Sequence, residues 1–136
     1  MKTLFLSLFL GIACLVNAQN SFTATNLEKS QNIGEDWVDT PAEPNNSKFT
    51  ITSDYTYLIH EEGNQITTYK FTDVKYDAEK DRIVGNLRKA NTKEKYEVII
   101  NLGYEYMSFY YDDEDDIYTN LSYDFTFDNG KLPIPN

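Results

Sequence analysis

In residues 117–128, mostly apolar and aromatic side chains alternate with mostly polar ones. Because successive side chains of a β-strand point to opposite faces, this period of two predicts a strand with one buried, aromatic face and one hydrated face. A single strand cannot bury such a face alone, so the stretch requires a sheet that folds against something else. The residues on the buried face are Ile117, Thr119, Leu121, Tyr123, Phe125 and Phe127.

The preceding chain repeats this alternation in shorter segments separated by turn residues. Glu62-Gly63-Asn64 is the clearest hairpin turn, because Gly and Asn both tolerate positive φ. Gly85 lies inside a short strand, where glycine often marks a bulge or a bend at which a sheet curls. No long stretch has the 3.6-residue apolar period of a helix. Extended segments are predicted around Trp37 and over 48–53, 55–60, 66–76, 82–89, 96–102, 105–111 and 117–128.

This pattern predicts an all-β fold of about eight strands with short hairpin connections. An antiparallel up-and-down meander is the simplest topology, and closing it into a barrel removes its exposed edges. A β-sandwich is the alternative for strands at this spacing. The barrel domain is expected over 33–131, after a flexible lead-in at 19–32 and before a C-terminal tail at 132–136.

The N-terminal residues predict an export signal. Met1-Lys2 is a short positive start, 4–16 is an apolar run, and small residues at 16–18 place the expected cleavage after Ala18. The run is too short to span a bilayer comfortably. The protein is therefore expected to be secreted or periplasmic, without membrane insertion. A lipoprotein acylated at Cys14 is the alternative, because a small residue precedes that cysteine.

Cysteine content and charge exclude several function classes. Cys14 is the only cysteine, so a cleaved chain would have no disulfide, no thiol nucleophile and no cysteine-ligated zinc. The net charge of −10 disfavours binding to nucleic acid or anionic membranes, which requires Lys/Arg patches. A cationic partner, a divalent ion or simple solubility all fit this charge.

The candidates for catalysis and metal binding are few. His60 is the only histidine, and we expect it on the surface near a hairpin tip, with Glu62 on the same strand face. The acidic run Asp112–Asp116 offers oxygen ligands for calcium but lacks the glycine and closing glutamate of an EF-hand loop. A solvated hairpin tip that limits aggregation is the favoured interpretation of the run. We therefore expect no enzyme activity, no cofactor and no metal.

Aromatic residues are the one clear excess, with 11 Tyr and 8 Phe. Tyrosine carries a hydroxyl that needs a hydrogen-bond partner when it is buried. Several tyrosines on inward strand positions therefore predict a cavity that is apolar but not dry, suited to a small ligand. The expected ligand-binding residues are Tyr57, Tyr69, Tyr106, Tyr110 and Tyr123.

The early tryptophan and the strands that follow it resemble the lipocalin-like secreted barrels. The lipocalin signature has Gly and Trp one residue apart on the first strand, whereas here two residues separate Gly34 from Trp37. Lys131 stands where that family has a basic residue, usually Arg, that packs over the tryptophan. The resemblance covers about residues 33 to 131, and it implies a cavity for a small apolar ligand and no catalysis.

Two functions remain open at this point. The preferred one is a secreted lipocalin-like protein that binds a small hydrophobic or amphipathic ligand. The alternative is an acidic interaction module that binds another secreted or envelope protein through an aromatic face or a sheet edge. An enzyme would need two carboxylates in a cleft or a cluster around His60, and it is the least favoured class.

Overall fold

The computed structural model describes residues 20–128, 130 and 132–135. The expected signal peptide with Cys14, and the basic residue Lys131, lie outside the described residues. Within the described part, no helix is long and apolar enough to cross a membrane. The strands are β1 (Ser21–Ile33), β2 (Asp36–Pro44), β3 (Ser47–Ile51), β4 (Tyr57–Glu62), β5 (Gln65–Asp77), β6 (Arg82–Lys89), β7 (Lys95–Asn101), β8 (Tyr106–Asp112) and β9 (Tyr118–Phe127).

Eight of these strands form a closed antiparallel barrel. β3 to β9 pair in chain order, β1 pairs with β3 through Ser21–Thr23, and β9 returns to pair with β1. The predicted all-β meander that closes into a barrel is thereby confirmed. β2 is an additional strand, which pairs with Asn26–Ile33 of β1 where β1 extends past β3.

β1 is the element that the sequence pattern did not predict. The segment 19–32 was expected to be a flexible lead-in, yet most of it belongs to this strand. A bulge between Ala24 and Asn26 shifts the alternation, so that Phe22 and Ala24 before it and Leu27 after it all contribute to the core. The simple period of two is broken there, and the strand is held by its pairing with β9.

One end of the barrel is plugged by the turns β3–β4 and β7–β8 and by the C-terminal segment. Tyr55 and Leu102 from those turns are buried, and so is Leu132. The Tyr55 hydroxyl donates a hydrogen bond to the carbonyl of Pro133, which holds the segment expected to be a tail against this end. We call it the plugged end. Among the described residues, the apolar ones with no exposed surface are Phe22, Phe49, Ile51, Leu58, Ile83, Val98, Ile100 and Met107.

Gly85 marks a close approach between β5 and β6, next to a bulge. The bulge lies in β5 between Phe71 and Asp73, opposite this glycine. A Cβ atom at Gly85 would lie 3.1 Å from the Phe71 ring and 3.1 Å from the Asp73 carbonyl oxygen. The missing side chain therefore lets the Phe71 ring lie flat against the strand, as expected for an interior glycine where a sheet bends.

Candidate functional site

The barrel wall separates between β7 and β8 at the end opposite the plug. Pairing between these strands ends at Glu97 and Tyr110, so Tyr96 and Tyr111 lie beyond the last pair. The separation creates an open cleft of about 620 Å³, and a second depression of about 460 Å³ adjoins it. We call this end the cleft end. The cleft is lined by Lys89, Lys93, Glu94, Lys95, Tyr96, Tyr111, Asp112, Asp113 and Glu114.

Tyrosine rings form the floor of the cleft. The ring centroids of Tyr96 and Tyr111 are 5.0 Å apart, and Tyr69 lies beneath, with its centroid 5.2 Å from that of Tyr96. Burial raises the pKa of Tyr69 to about 12, and burial also raises the pKa of Tyr96 and of Tyr111. These hydroxyls therefore stay protonated at neutral pH. The floor can contact the apolar body of a ligand, and the Tyr69 and Tyr111 hydroxyls can donate hydrogen bonds to its polar groups.

The two walls of the cleft carry opposite charges. The β6–β7 hairpin contributes Lys89, Lys93 and Lys95, whereas the β8–β9 hairpin contributes carboxylates. Glu94 lies on the lysine side, where its carboxylate accepts a 3.1 Å hydrogen bond from the Tyr96 hydroxyl and lies 3.7 Å from the Lys89 ammonium. Most of the positive charge on this wall thus comes from Lys93 and Lys95.

The acidic run Asp112–Asp116 forms the β8–β9 hairpin turn, with one of its carboxylates organising the loop. Asp113 Oδ1 accepts hydrogen bonds of 2.9 Å from the backbone N–H groups of Asp115 and Ile117, and Oδ2 accepts one of 3.0 Å from Gln31. The bond from Ile117 is the main cause that lowers the pKa of Asp113. In residues 20–128, 130 and 132–135, no three His, Cys, Asp or Glu side chains are grouped to hold a metal.

Two of the five tyrosines expected to bind ligand point into the barrel. Tyr69 lies under the cleft floor, with its ring 5.8 Å from that of Phe109. Tyr123 is 4% exposed, and its ring lies 5.0 Å from the Phe49 ring. The rings inside the barrel thus pack against one another, and the space for a ligand lies at the separated wall.

The other three tyrosines lie on the outer surface, so their expected inward positions are wrong. Tyr57 precedes the buried Leu58 on β4 and is exposed. Tyr106 and Tyr110 alternate on β8 with buried residues, which places both on the outside. Both faces of β8 are aromatic, so the alternation of its side chains does not indicate which face is buried. Tyr110 still borders the depression that adjoins the cleft.

Tyr96 and Tyr111 are the site residues that sequence reasoning missed. A partial signal was present, because Tyr96 alternates in phase with Val98 and Tyr111 in phase with Phe109, and both partners are core residues. The separation of β7 and β8 carries no comparable signal. The separation depends on where β7 and β8 stop pairing, and no residue type in either strand predicts that position.

His60 is more buried than expected for a residue near a hairpin tip. Its side chain is 13% exposed, and its ring stacks on Phe49 with centroids 4.3 Å apart. The expected surface position is therefore wrong, although Glu62 does lie near it, with 3.9 Å between His60 Nε2 and Glu62 Oε2. Among the described residues this Nε2 atom has no hydrogen-bond partner. Burial lowers the pKa of His60, and the Glu62 carboxylate opposes that shift only in part.

The depressed pKa of His60 predicts that acidification destabilises the fold. In the unfolded chain, histidine has a pKa of about 6.5 and binds a proton more readily than it does in the folded protein. His60 therefore does not reduce the free energy of unfolding above that pH. The free energy of unfolding falls as the pH drops from there toward the pKa of His60 in the folded protein. We expect the midpoint temperature of unfolding to fall between about pH 7 and pH 5, and to fall less steeply in His60→Gln. Equal slopes in circular-dichroism melts of both proteins would contradict this account.

The tryptophan of the lipocalin-like pattern does not lie where that pattern predicts. Gly34 has φ +71° and forms the β1–β2 turn, and Trp37 lies on the second strand, 47% exposed. The two residues therefore do not reproduce the signature on the first strand. The resemblance that the structure supports is one of architecture: an eight-stranded antiparallel closed barrel.

No protein-family model matches the sequence, and neither a curated protein nor a solved structure matches it.

Proposed function

We propose that the protein is a secreted or periplasmic, lipocalin-like binding protein that takes a small amphipathic ligand in the cleft between β7 and β8. The observation that carries this proposal is the tyrosine floor, which lies open between two hairpins of opposite charge. The cleft volume of about 620 Å³ lies within the range of about 300–1,000 Å³ usual for small-ligand sites. The proposed site is this cleft and not the barrel interior, where tyrosines were expected to line a cavity, because the interior rings pack against one another.

The division of charge between the two walls of the cleft would orient a ligand that carries an anionic group. The chain has 22 acidic residues and only 12 Lys and Arg, yet three lysines line this one cleft. Lys93 and Lys95 are on the wall opposite Asp112 and Glu114, so an anionic group would be attracted to one side and repelled from the other. The ligand body would then lie on Tyr96 and Tyr111, with its charged end beside the lysine wall.

Binding of 8-anilinonaphthalene-1-sulfonate tests the proposal, because this dye combines an aromatic body with one sulfonate. We expect saturable fluorescence enhancement in the folded protein. Tyr111→Ala removes part of the floor and should weaken binding by about tenfold, the effect of losing about 1.4 kcal/mol of aromatic contact. Lys93→Gln combined with Lys95→Gln should weaken binding in a salt-dependent way.

Tyr104→Ala is the matched control for the dye experiment. Tyr104 is 83% exposed in the β7–β8 turn, at the plugged end, so its removal should leave dye affinity unchanged. Equal affinity in Tyr111→Ala and Tyr104→Ala would place the dye elsewhere and would refute the cleft as the binding site. Circular dichroism of each variant establishes that the barrel is intact during the measurement.

A further inference from the structure

A third depression lies on the outer surface of the sheet. It crosses β2, β1, β9 and β8, where Asp39 pairs with Ser30, Ser30 with Asn120, and Asn120 with Tyr110. Directly paired residues of neighbouring strands share a face, so these side chains form one row across four strands. The depression has a volume of about 340 Å³. We call this surface the outer face.

Aromatic rings border the outer face along one side. Trp37 is 47% exposed and Tyr118 is 42% exposed, and their ring centroids are 5.8 Å apart. Tyr110 continues the series, with its ring 5.9 Å from Tyr118 and inclined to it by 24°. These rings lie outside the barrel core, so core packing does not account for them. Exposed rings in series beside polar groups are the arrangement expected of a binding surface.

Small polar side chains form the floor beside these rings. Ser30 Oγ donates a 2.6 Å hydrogen bond to Asp39 Oδ1, and Ser108 and Ser122 lie in the next row of the sheet. Their short side chains let a flat ligand approach the strands closely. The carboxylates of Asp39 and of Glu28, which pairs with Ser122, offer acceptors, and Asn120 offers both a donor and an acceptor. No lysine or arginine lines this part of the described surface, which disfavours an anionic ligand.

We propose that the outer face binds a neutral saccharide. The apolar C–H face of a pyranose ring would lie on Trp37, with a neighbouring sugar unit toward Tyr118. Sugar hydroxyls would donate to Asp39 and to Glu28 and exchange hydrogen bonds with the Asn120 amide. A cation would also be attracted to aromatic rings and carboxylates. However, the hydroxyl and amide groups of the floor supply donors as well as acceptors, and a polyhydroxylated ligand uses both, whereas a cation cannot use the donors.

Addition of a partner strand to β2 fits this region less well. The unpaired edge of β2 carries Pro41 and ends at Pro44, neither of which has a backbone N–H to donate. Charged residues on the same strand, Asp36, Asp39 and Glu43, further oppose strand addition. The features that remain for recognition are the rings and polar groups of the outer face.

Trp37 is the only tryptophan, so its fluorescence reports directly on the outer face. We would titrate the protein with soluble mixed-linkage β-glucan, arabinoxylan and galactomannan, and with poly-L-lysine as a cationic probe. The expected result is a saturable blue shift of the emission with at least one neutral polysaccharide. Asp39→Asn should weaken that binding by about tenfold, the effect of losing one hydrogen bond to a charged group.

Affinity electrophoresis in gels containing the same polysaccharides extends the test to Trp37→Ala and Tyr118→Ala, which should migrate without retardation. Tyr104→Ala should be retarded like the original protein. The cleft variant Tyr111→Ala should also be retarded, so this result does not depend on whether the cleft binds a ligand. A response to poly-L-lysine alone, no response to any neutral polysaccharide, or retardation that survives Trp37→Ala would each overturn the proposal.

Discussion

Phe49→Ala is expected to lower the free energy of unfolding by about 3–5 kcal/mol, the usual effect of removing a fully buried phenylalanine. Phe49 has no exposed surface and lies in the middle of the barrel. Its ring centroid is 5.4 Å from Phe22, 5.0 Å from Tyr123 and 6.0 Å from Phe109. Those rings belong to the neighbouring strands β1, β9 and β8, whose backbone pairing fixes the position of each ring, so they cannot move together to fill the space left by the missing ring.

Urea denaturation followed by far-ultraviolet circular dichroism measures this effect, since Trp37 lies outside the core and reports poorly on it. Ile66→Ala is the control, because Ile66 is 67% exposed and its truncation should change stability by no more than about 0.5 kcal/mol. A loss below about 1 kcal/mol in Phe49→Ala would mean that the ring does not fill the barrel centre as described.

The barrel itself was predictable because its strands follow a local rule. Apart from the bulge in β5, the side chains from β3 to β9 alternate with a period of two, and residues such as Gly63 and the acidic run Asp112–Asp116 mark the turns. Short hairpins leave few ways to connect such strands, and closure satisfies the edges. The period and the turns are properties of neighbouring residues, so one sequence suffices to read them.

β1 and the binding surfaces depend on contacts between distant residues. The bulge after Ala24 hides the alternation of β1, and the strand becomes recognisable only through its register with β9, from Phe22–Phe127 to Gln31–Thr119. The outer position of Tyr110 was missed for a related reason: β8 is aromatic on both faces, and only the neighbouring strands decide which face is buried. The tyrosine excess thus predicted an aromatic site in the barrel, but not which of its rings form the cleft.

Leu132→Ala is expected to lower the free energy of unfolding by about 2–4 kcal/mol, although the residue lies in a segment expected to be a tail. Leu132 is 4% exposed and packs against the core at the plugged end, beside the hydrogen bond between Tyr55 and Pro133. Truncation would leave a cavity at that end and loosen the segment that covers it.

The same substitution tests whether the plugged end and the cleft end of the barrel act independently. The cleft lies at the end opposite Leu132, so the folded fraction of Leu132→Ala should bind the sulfonate dye with unchanged affinity, whereas Tyr111→Ala should lose affinity with little loss of stability. Urea denaturation and dye titration of both variants measure this contrast. A loss of dye affinity in folded Leu132→Ala would show that the plug also shapes the cleft, because the loosened plugged end would then alter where β7 and β8 separate.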